Sequence, residues 1–510
     1  MRIPLKNNYI FFLIFSLILI SICSFLWSYI NHFIILYGDA TSHLNIARRV
    51  IDNRNPGFGQ LGSSWLPLFH VLLIPFAAND FLYRTGIAGY CVNSFLYVAV
   101  GYFFFKILTY HFPNRKNISF ILTLLFVLNI NLLYFQTTAM GEMLLIATSL
   151  GGIYYLVKYI ADTTSTENLS LAAFFVFLSS LNRYEGWFLA CTETAFIFFY
   201  ILVKDKNYKR AEGKTILFGV LALLGIATWL LYNLAIFHDP LNFIHDTYTA
   251  AGQQKVLYSQ GLLQTKHNLI RSIQTFSFAI YDVSGAIFSL LSIISGIWYI
   301  FYKKKRQYLP IIILFISLFF FEVLTLFLGI TAMYVEQLHP FRLFNVRYAL
   351  FLYPGMFLLV SIYILSQKKN IFMYIALLLL AIQNILLIYP QEAITLREGK
   401  SLYGTDIGMV EAGKYLHDHY QGGSILASSG AVDPLFLFSE IPMKEYIYEG
   451  NRGLWTQSLI TPQKHVTWIV ITNAHNPLDF VAKKLENTPQ LRKYYRLVIR
   501  KRNINLYERN

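Results

Sequence analysis

Long apolar stretches alternate with short polar ones along the first three quarters of the chain. A helix needs about 20 apolar residues to cross a bilayer. The first stretch runs from Ile10 to Tyr29; it is too long for a signal-peptide core and no small-residue cleavage site follows it, so it reads as a retained span. Further stretches lie near 87–108, 118–136, 140–160, 169–181 and 216–237, with one between 169–181 and 216–237 and others ending at Lys303, before Tyr334, at Lys368 and at Tyr389. The pattern predicts about eleven spans. Trp65 to Pro75 is apolar but short, with Pro67 and Pro75 near its ends, and predicts an interfacial or re-entrant helix.

From Pro390 the pattern changes. Asp406 to Tyr420 predicts an amphipathic helix, Gly423 to Ser429 a strand and turn, and His465 to Ile471 a buried strand. Leu478 to Leu485 predicts a helix and Tyr495 to Tyr507 a strand pair turning at Lys501-Arg502-Asn503. The expectation is a polytopic α-helical membrane module over 1–389, with a first outer loop at 31–83, followed by a small α/β domain over 390–510. That domain has no nucleotide-type glycine loop and no evident catalytic cluster, so its expected role is a lid or acceptor-docking module.

Composition agrees: 56% of the 510 residues are hydrophobic and only 14% charged, where a soluble protein would carry about 25%. The net charge of +15 would suit a nucleic-acid binder, but the basic residues sit in short loops between spans. Arg2 and Lys6, then Lys106, Arg115 and Lys116, then Lys204 to Lys214, Lys303 to Arg306, and Lys368 with Lys369 all fall on one side. This is the pattern of cytoplasmic loops. It places the N-terminus in the cytoplasm and 390–510 outside, with no nucleic-acid partner. Cys23, Cys91 and Cys191 lie in or beside apolar stretches and have neither metal-ligand nor disulfide-framework spacing.

The polar residues that need explaining gather on the opposite side. In Tyr37-Gly38-Asp39-Ala40-Thr41-Ser42-His43, Gly38 frees a turn, Asp39 suits an N-cap, and His43 falls on the same helical face four residues on. Glu142, Arg183, Glu185, Asp239, His245, Lys266 and Arg347 map to the same side. Each has a plain alternative: a cap, an exposed turn, an interfacial ion pair, a snorkelling arginine. Ionisable groups at a membrane boundary are costly unless they face water or one another, which favours a site. A carboxylate there can take a proton from a hydroxyl or amine. Arginines or lysines can hold a phosphate leaving group and neutralise its developing charge. Nucleotide sugars are absent from that compartment, so a phosphate-bearing sugar donor would be lipid-linked.

This layout resembles the GT-C superfamily of membrane glycosyltransferases, in particular its protein O-mannosyltransferase and aminoarabinose-transferase-like branch. The resemblance rests on Gly38-Asp39, Trp65-Leu66-Pro67-Leu68 to Pro75, Gly141-Glu142, Arg183-Tyr184-Glu185-Gly186-Trp187, Asp239-Pro240 and Asn345-Val346-Arg347-Tyr348. It implies inverting transfer of a hexosyl or pentosyl unit from a polyprenyl-phosphate sugar to a protein, glycan or lipid acceptor, in a bacterial inner or plasma membrane. By motif, Asp39 would be the catalytic base and Glu142 a second acid. His43, Arg183, Glu185, Lys266 and Arg347 would bind substrate. No organic cofactor is implied, and use of a divalent metal varies by branch. Relatives with two acids in the first loop differ from this chain, where Ala40, Thr41, Ser42 and His43 follow Asp39; a two-carboxylate metal site is disfavoured there, and His43 could instead hold Asp39. The competing expectations are a transporter or flippase of lipid-linked glycans, which would favour charges buried at mid-span and broken helices, and a structural membrane subunit. Glu322, inside an apolar stretch, fits the transporter reading best.

Overall fold

Each apolar stretch read from the sequence becomes helical, because inside a bilayer only intrahelical hydrogen bonds can satisfy the backbone. The computed structural model describes residues 8–246, 249–301, 305–339, 343–389, 392–472, 476 and 478–510. Arg2, Lys6, Lys303, Lys304 and the expected boundary residue Pro390 lie outside the described residues.

Among the described residues, eight helical segments are long and apolar enough to cross a membrane: Asn8–Ile30, Ile87–His111, Glu142–Ala161, Tyr184–Asp205, Tyr208–Phe237, Leu309–Leu328, Val346–Leu365 and Asn370–Ile388. A bent pair, Leu269–Ser284 with Ala286–Phe301, makes up to nine. The other two expected spans fall short. One is broken into Lys116–Val127 and Ile130–Phe135, where the Asn129 side chain caps the second piece by accepting from Asn131 N–H at 2.9 Å. The other, Thr166–Ser180, has only 15 residues. Phe11, Phe15, Val220, Leu231, Leu378 and Ile385 on the long helices point outward and are more than half or nearly half exposed. Outward faces this apolar need lipid, and the chain is a multi-pass membrane protein.

Two glycines fix the helix geometry. At Gly285 the paired helices meet at 115° with φ +82, and a side chain there would strike Gln383. Gln383 caps the second helix by accepting from Ile287 N–H at 2.8 Å. Gly186 presses against the Ser179 carbonyl so closely that an added Cβ would lie 2.2 Å from its oxygen. That contact ties the Thr166–Ser180 helix to the Tyr184–Asp205 helix and fixes the turn carrying Arg183. Gly186→Ala is therefore expected to cost about 1–3 kcal/mol, read as a lower thermal midpoint of the purified protein.

The Trp65–Pro75 segment forms a short helix, Leu68–Ala77, with Pro75 inside it. The helix expected over Asp406–Tyr420 is longer than its pattern suggests: Ile394–His419, 26 residues. Its first turns pack into the transmembrane core through Ile394 and Leu396, and its later turns pack on a sheet through Met409, Ala412 and Leu416.

That sheet has strands β1 (Ile425–Leu426), β2 (Tyr446–Ile447), β3 (Trp468–Thr472), β4 (Tyr495–Lys501) and β5 (Ile504–Arg509) in the order β2-β1-β3-β5-β4. β1 runs parallel to β2 and β3, while β5 is antiparallel to β3 and β4. Alternation sends Trp468 and Val470 to one face, against the Ile394–His419 helix, and Ile469 and Ile471 to the other, against Val481 and Leu485. Residues beyond 390 also dock on the Gly38–Arg49 helix. Ser42 Oγ donates to Asp433 Oδ2 at 2.6 Å and Asn45 Nδ2 to Asp433 Oδ1 at 3.0 Å.

Candidate active site

Three carboxylates sit in the first turns of three helices: Asp39 in Gly38–Arg49, Glu142 at the start of Glu142–Ala161, and Glu185 in Tyr184–Asp205. Exposed backbone N–H groups at a helix start favour negative charge by about 0.3–1 kcal/mol each. The fold gathers these starts around two guanidiniums.

Arg347 stands at the centre, in the short 3₁₀ turn Val346–Phe351, and is 4% exposed. Its Nη2 pairs with Asp39 Oδ2, its Nε lies 3.2 Å from Glu142 Oε1, and its Nη1 lies 3.7 Å from Glu398 Oε1. Arg183 is the second cation. Its Nη2 lies 2.9 Å from Glu185 Oε1, and its Nη1 lies 3.5 Å from Glu142 Oε1. Glu142 thus bridges the two guanidiniums, while its Oε2 is buried without a hydrogen-bond partner among the described residues. The Tyr348 ring lies between them, 5.0 Å from Arg183 and 5.2 Å from Arg347. Asn182 holds the turns before Glu142 and Arg183 together by donating to the Gly141 carbonyl at 2.9 Å.

Asp39 differs from its neighbours in exposure: its side chain is 40% accessible, against 1% for Glu142 and 0% for Glu398. It is the most exposed carboxylate of the group. It is not the N-cap that its position predicts. Tyr37 occupies that place without a side-chain cap, and the Asp39 carboxylate is turned to Arg347 instead.

His43 does not hold Asp39 either. Its Nδ1 is 2.7 Å from His70 Nε2, and its ring lies over Trp65 at 4.5 Å between centroids. Burial, then the nearby Arg183 and Arg347 charges, lower its pKa to about 3. Burial, then His43, push His70 well down too. Both imidazoles are neutral at physiological pH. Below the unfolded-chain value near 6.5 the unfolded protein takes up protons that the folded one refuses, so this contribution is intact above about pH 6.5 and lost as pH falls toward 3. Each such histidine steepens the loss toward about 1.4 kcal/mol per pH unit. His43→Gln is expected to flatten the fall in thermal midpoint between pH 6.5 and 5.

Two residues complete the cluster. Glu322, inside the Leu309–Leu328 helix and 1% exposed, lies beside Glu185. Glu398, in the second turn of the Ile394–His419 helix, is the residue that sequence reasoning missed. Burial raises its pKa, opposed by Arg347 and by the backbone N–H groups of Asn345 and Val346. Its signal was faint: it shares a helical face with the apolar Ile394.

Among the described residues, Lys266 and the Asp239–His245 pair stand apart from these groups. Lys266 lies 3.9 Å from the Tyr258 ring centroid and packs under Gly329. His245 Nδ1 and Asp239 Oδ2 form their own exposed pair at 2.6 Å. Among the described residues no three His, Cys, Asp or Glu side chains are arranged to hold a metal ion. The carboxylates converge on guanidiniums, so the donor set does not fit a divalent cation.

No family model matches the sequence, and no curated protein matches it. Solved structures do. The crystal structure of ArnT from Cupriavidus metallidurans bound to undecaprenyl phosphate superposes with a TM-score of 0.57 at 9% identity, covering 98% of each chain. The Archaeoglobus fulgidus oligosaccharyltransferase, tethered to an acceptor peptide containing the NVT sequon, gives 0.49 at 10% identity over 96% of this chain and 72% of that one. At such identity the likeness is one of architecture: this chain has the fold of ArnT from end to end, the fold its resemblance to the GT-C superfamily implied.

Proposed function

We propose that this protein is a membrane glycosyltransferase that moves a sugar from a polyprenyl-phosphate donor to a hydroxyl or amine acceptor on the extracytoplasmic side. The observation that carries the reading is the reachable Asp39 carboxylate held on the buried Arg347, with Glu142 bridging to Arg183. The fold match is to a protein solved with undecaprenyl phosphate bound, which agrees with a lipid-linked donor.

In this reading Arg347 has two successive anionic partners. The donor phosphate takes the guanidinium edge that Asp39 occupies in the free protein. Asp39, released from Arg347, accepts the proton of the acceptor hydroxyl or amine. The acceptor atom bonds to the anomeric carbon as the carbon–oxygen bond to phosphate breaks, and that electron pair leaves on the polyprenyl phosphate. Arg347 and Arg183 neutralise the growing charge. One base and one leaving group on opposite faces of the sugar give inversion. His43, stacked on Trp65 beside Asp39, lies where the sugar or acceptor would pass, and 390–510 supplies the acceptor-side wall.

A second reading, transport of a lipid-linked glycan, has its own observations. Glu193 is 2% exposed within the Tyr184–Asp205 helix with Oε2 unpartnered among the described residues, and the helix pair at Gly285 is broken. Purified protein in sealed vesicles, offered a panel of polyprenyl-phosphate sugars and envelope extract, separates the two. Covalent sugar on an acceptor supports transfer; intact donor appearing in the opposite leaflet supports transport.

A further inference from the structure

The Glu398 carboxylate is fully buried, and among the described residues its hydrogen bonds and ion pair go to one turn. Oε1 accepts from Asn345 N–H at 2.6 Å, Oε2 accepts from Val346 N–H at 3.1 Å, and Oε1 lies 3.7 Å from Arg347 Nη1. These N–H groups open the 3₁₀ turn Val346–Phe351 and have no helical partner of their own. Glu398 caps that turn from 52 and 53 residues away in sequence. The cap holds a conformation the chain would otherwise resist, since Asn345 is left-handed at φ +57. The Asn345 amide reinforces it by donating to the Ala332 carbonyl at 2.9 Å.

Arg347 is the second residue of the turn, so the cap sets the position of its guanidinium and hence of Asp39. The other side of the Asp39 helix is held from the same part of the chain. Asp433, half-buried, takes hydrogen bonds from Ser42 and Asn45, one to two turns past Asp39. The Asp39 helix is therefore fixed between two carboxylates supplied beyond residue 390. A region expected to act only as lid or docking module provides the backing of the site.

We propose that Glu398 is a positioning residue for transfer: its carboxylate fixes the Asn345–Val346 turn, and through Arg347 it sets where the leaving phosphate lies relative to Asp39. This rests on the glycosyl-transfer reading. It differs from a purely structural role in what it predicts for rate and binding. A displacement of about 1 Å at a base can cost about 10²-fold in rate. An interaction made only in the transition state appears in kcat and leaves KM in place.

The test uses full-length protein in lipid nanodiscs with the polyprenyl-phosphate sugar that the wild type turns over, and reads kcat, KM for donor and thermal midpoint. Glu398→Gln keeps the volume but loses the second acceptor oxygen and the charge. Its kcat should fall about 10- to 10²-fold per folded molecule, with KM within about threefold of wild type. Glu398→Asp keeps a carboxylate on a shorter arm and should recover most of that loss. If Glu398→Gln does not fold, Glu398→Asp carries the test, with kcat about three- to tenfold below wild type at unchanged KM. Wild-type kcat in either folded variant, or a loss that only tracks the amount of folded protein, overturns the proposal. A wild type that releases polyprenyl phosphate from no donor overturns the transfer reading itself, and the positioning role with it.

Discussion

The Asp39→Asn protein inserts and folds, yet transfers sugar about 10²- to 10⁴-fold more slowly than wild type, the range for loss of a general base. Asparagine fills the same space and its amide oxygen still accepts a hydrogen bond from Arg347, so the helix start should survive. What disappears is a group able to take a proton. Because Asp39 is 40% exposed while Glu142 and Glu398 are buried, neither neighbour can reach an acceptor in its place. Donor binding should hold or tighten, since the phosphate no longer competes with a carboxylate for Arg347. A raised KM with unchanged kcat would instead make Asp39 a binding residue.

Arg347 has the larger effect on stability. Its guanidinium faces Asp39, Glu142 and Glu398 at once. Arg347→Met removes the charge and strands two carboxylates that are 1% and 0% exposed. Breaking a buried pair in this way costs about 3–5 kcal/mol, and the expected result is a sharply lowered thermal midpoint or loss of protein from the membrane. Arg347→Lys separates fold from function. One ammonium keeps the charge but cannot span three carboxylates as a planar fork does. That variant should fold while losing about 10²-fold in transfer, because the leaving phosphate no longer meets a planar fork placed beside Asp39.

The residues legible in the sequence share a physical reason. Asp39, Glu142, Arg183, Glu185 and Arg347 each stand where an apolar stretch begins or ends, and a charge at such a boundary has few comfortable environments. The helices themselves were equally plain, since long apolar runs leave one solution. What the pattern hid was contact between distant parts. Glu398 sits among Arg397, Gly399 and Lys400, a stretch that looks like a solvated helix; only the packing of Ile394 and Leu396 into the transmembrane core buries it. Lys266 looked like a site cation because it lies in the same outer loop set, but proximity in topology did not become proximity in space. His43 looked like a partner for Asp39 by its i, i+4 spacing, and His70 from a separate helix took it instead. The short strand β1 falls within the expected strand and turn at Gly423–Ser429, whereas β2, also two residues long, carries too little pattern to read and was not foreseen.

The most direct measurement is release of free polyprenyl phosphate by purified protein in lipid, compared between wild type and Asp39→Asn across a donor panel. Wild type should release it from at least one donor, and Asp39→Asn about a hundredfold less or lower still. Equal release by the two proteins would contradict it.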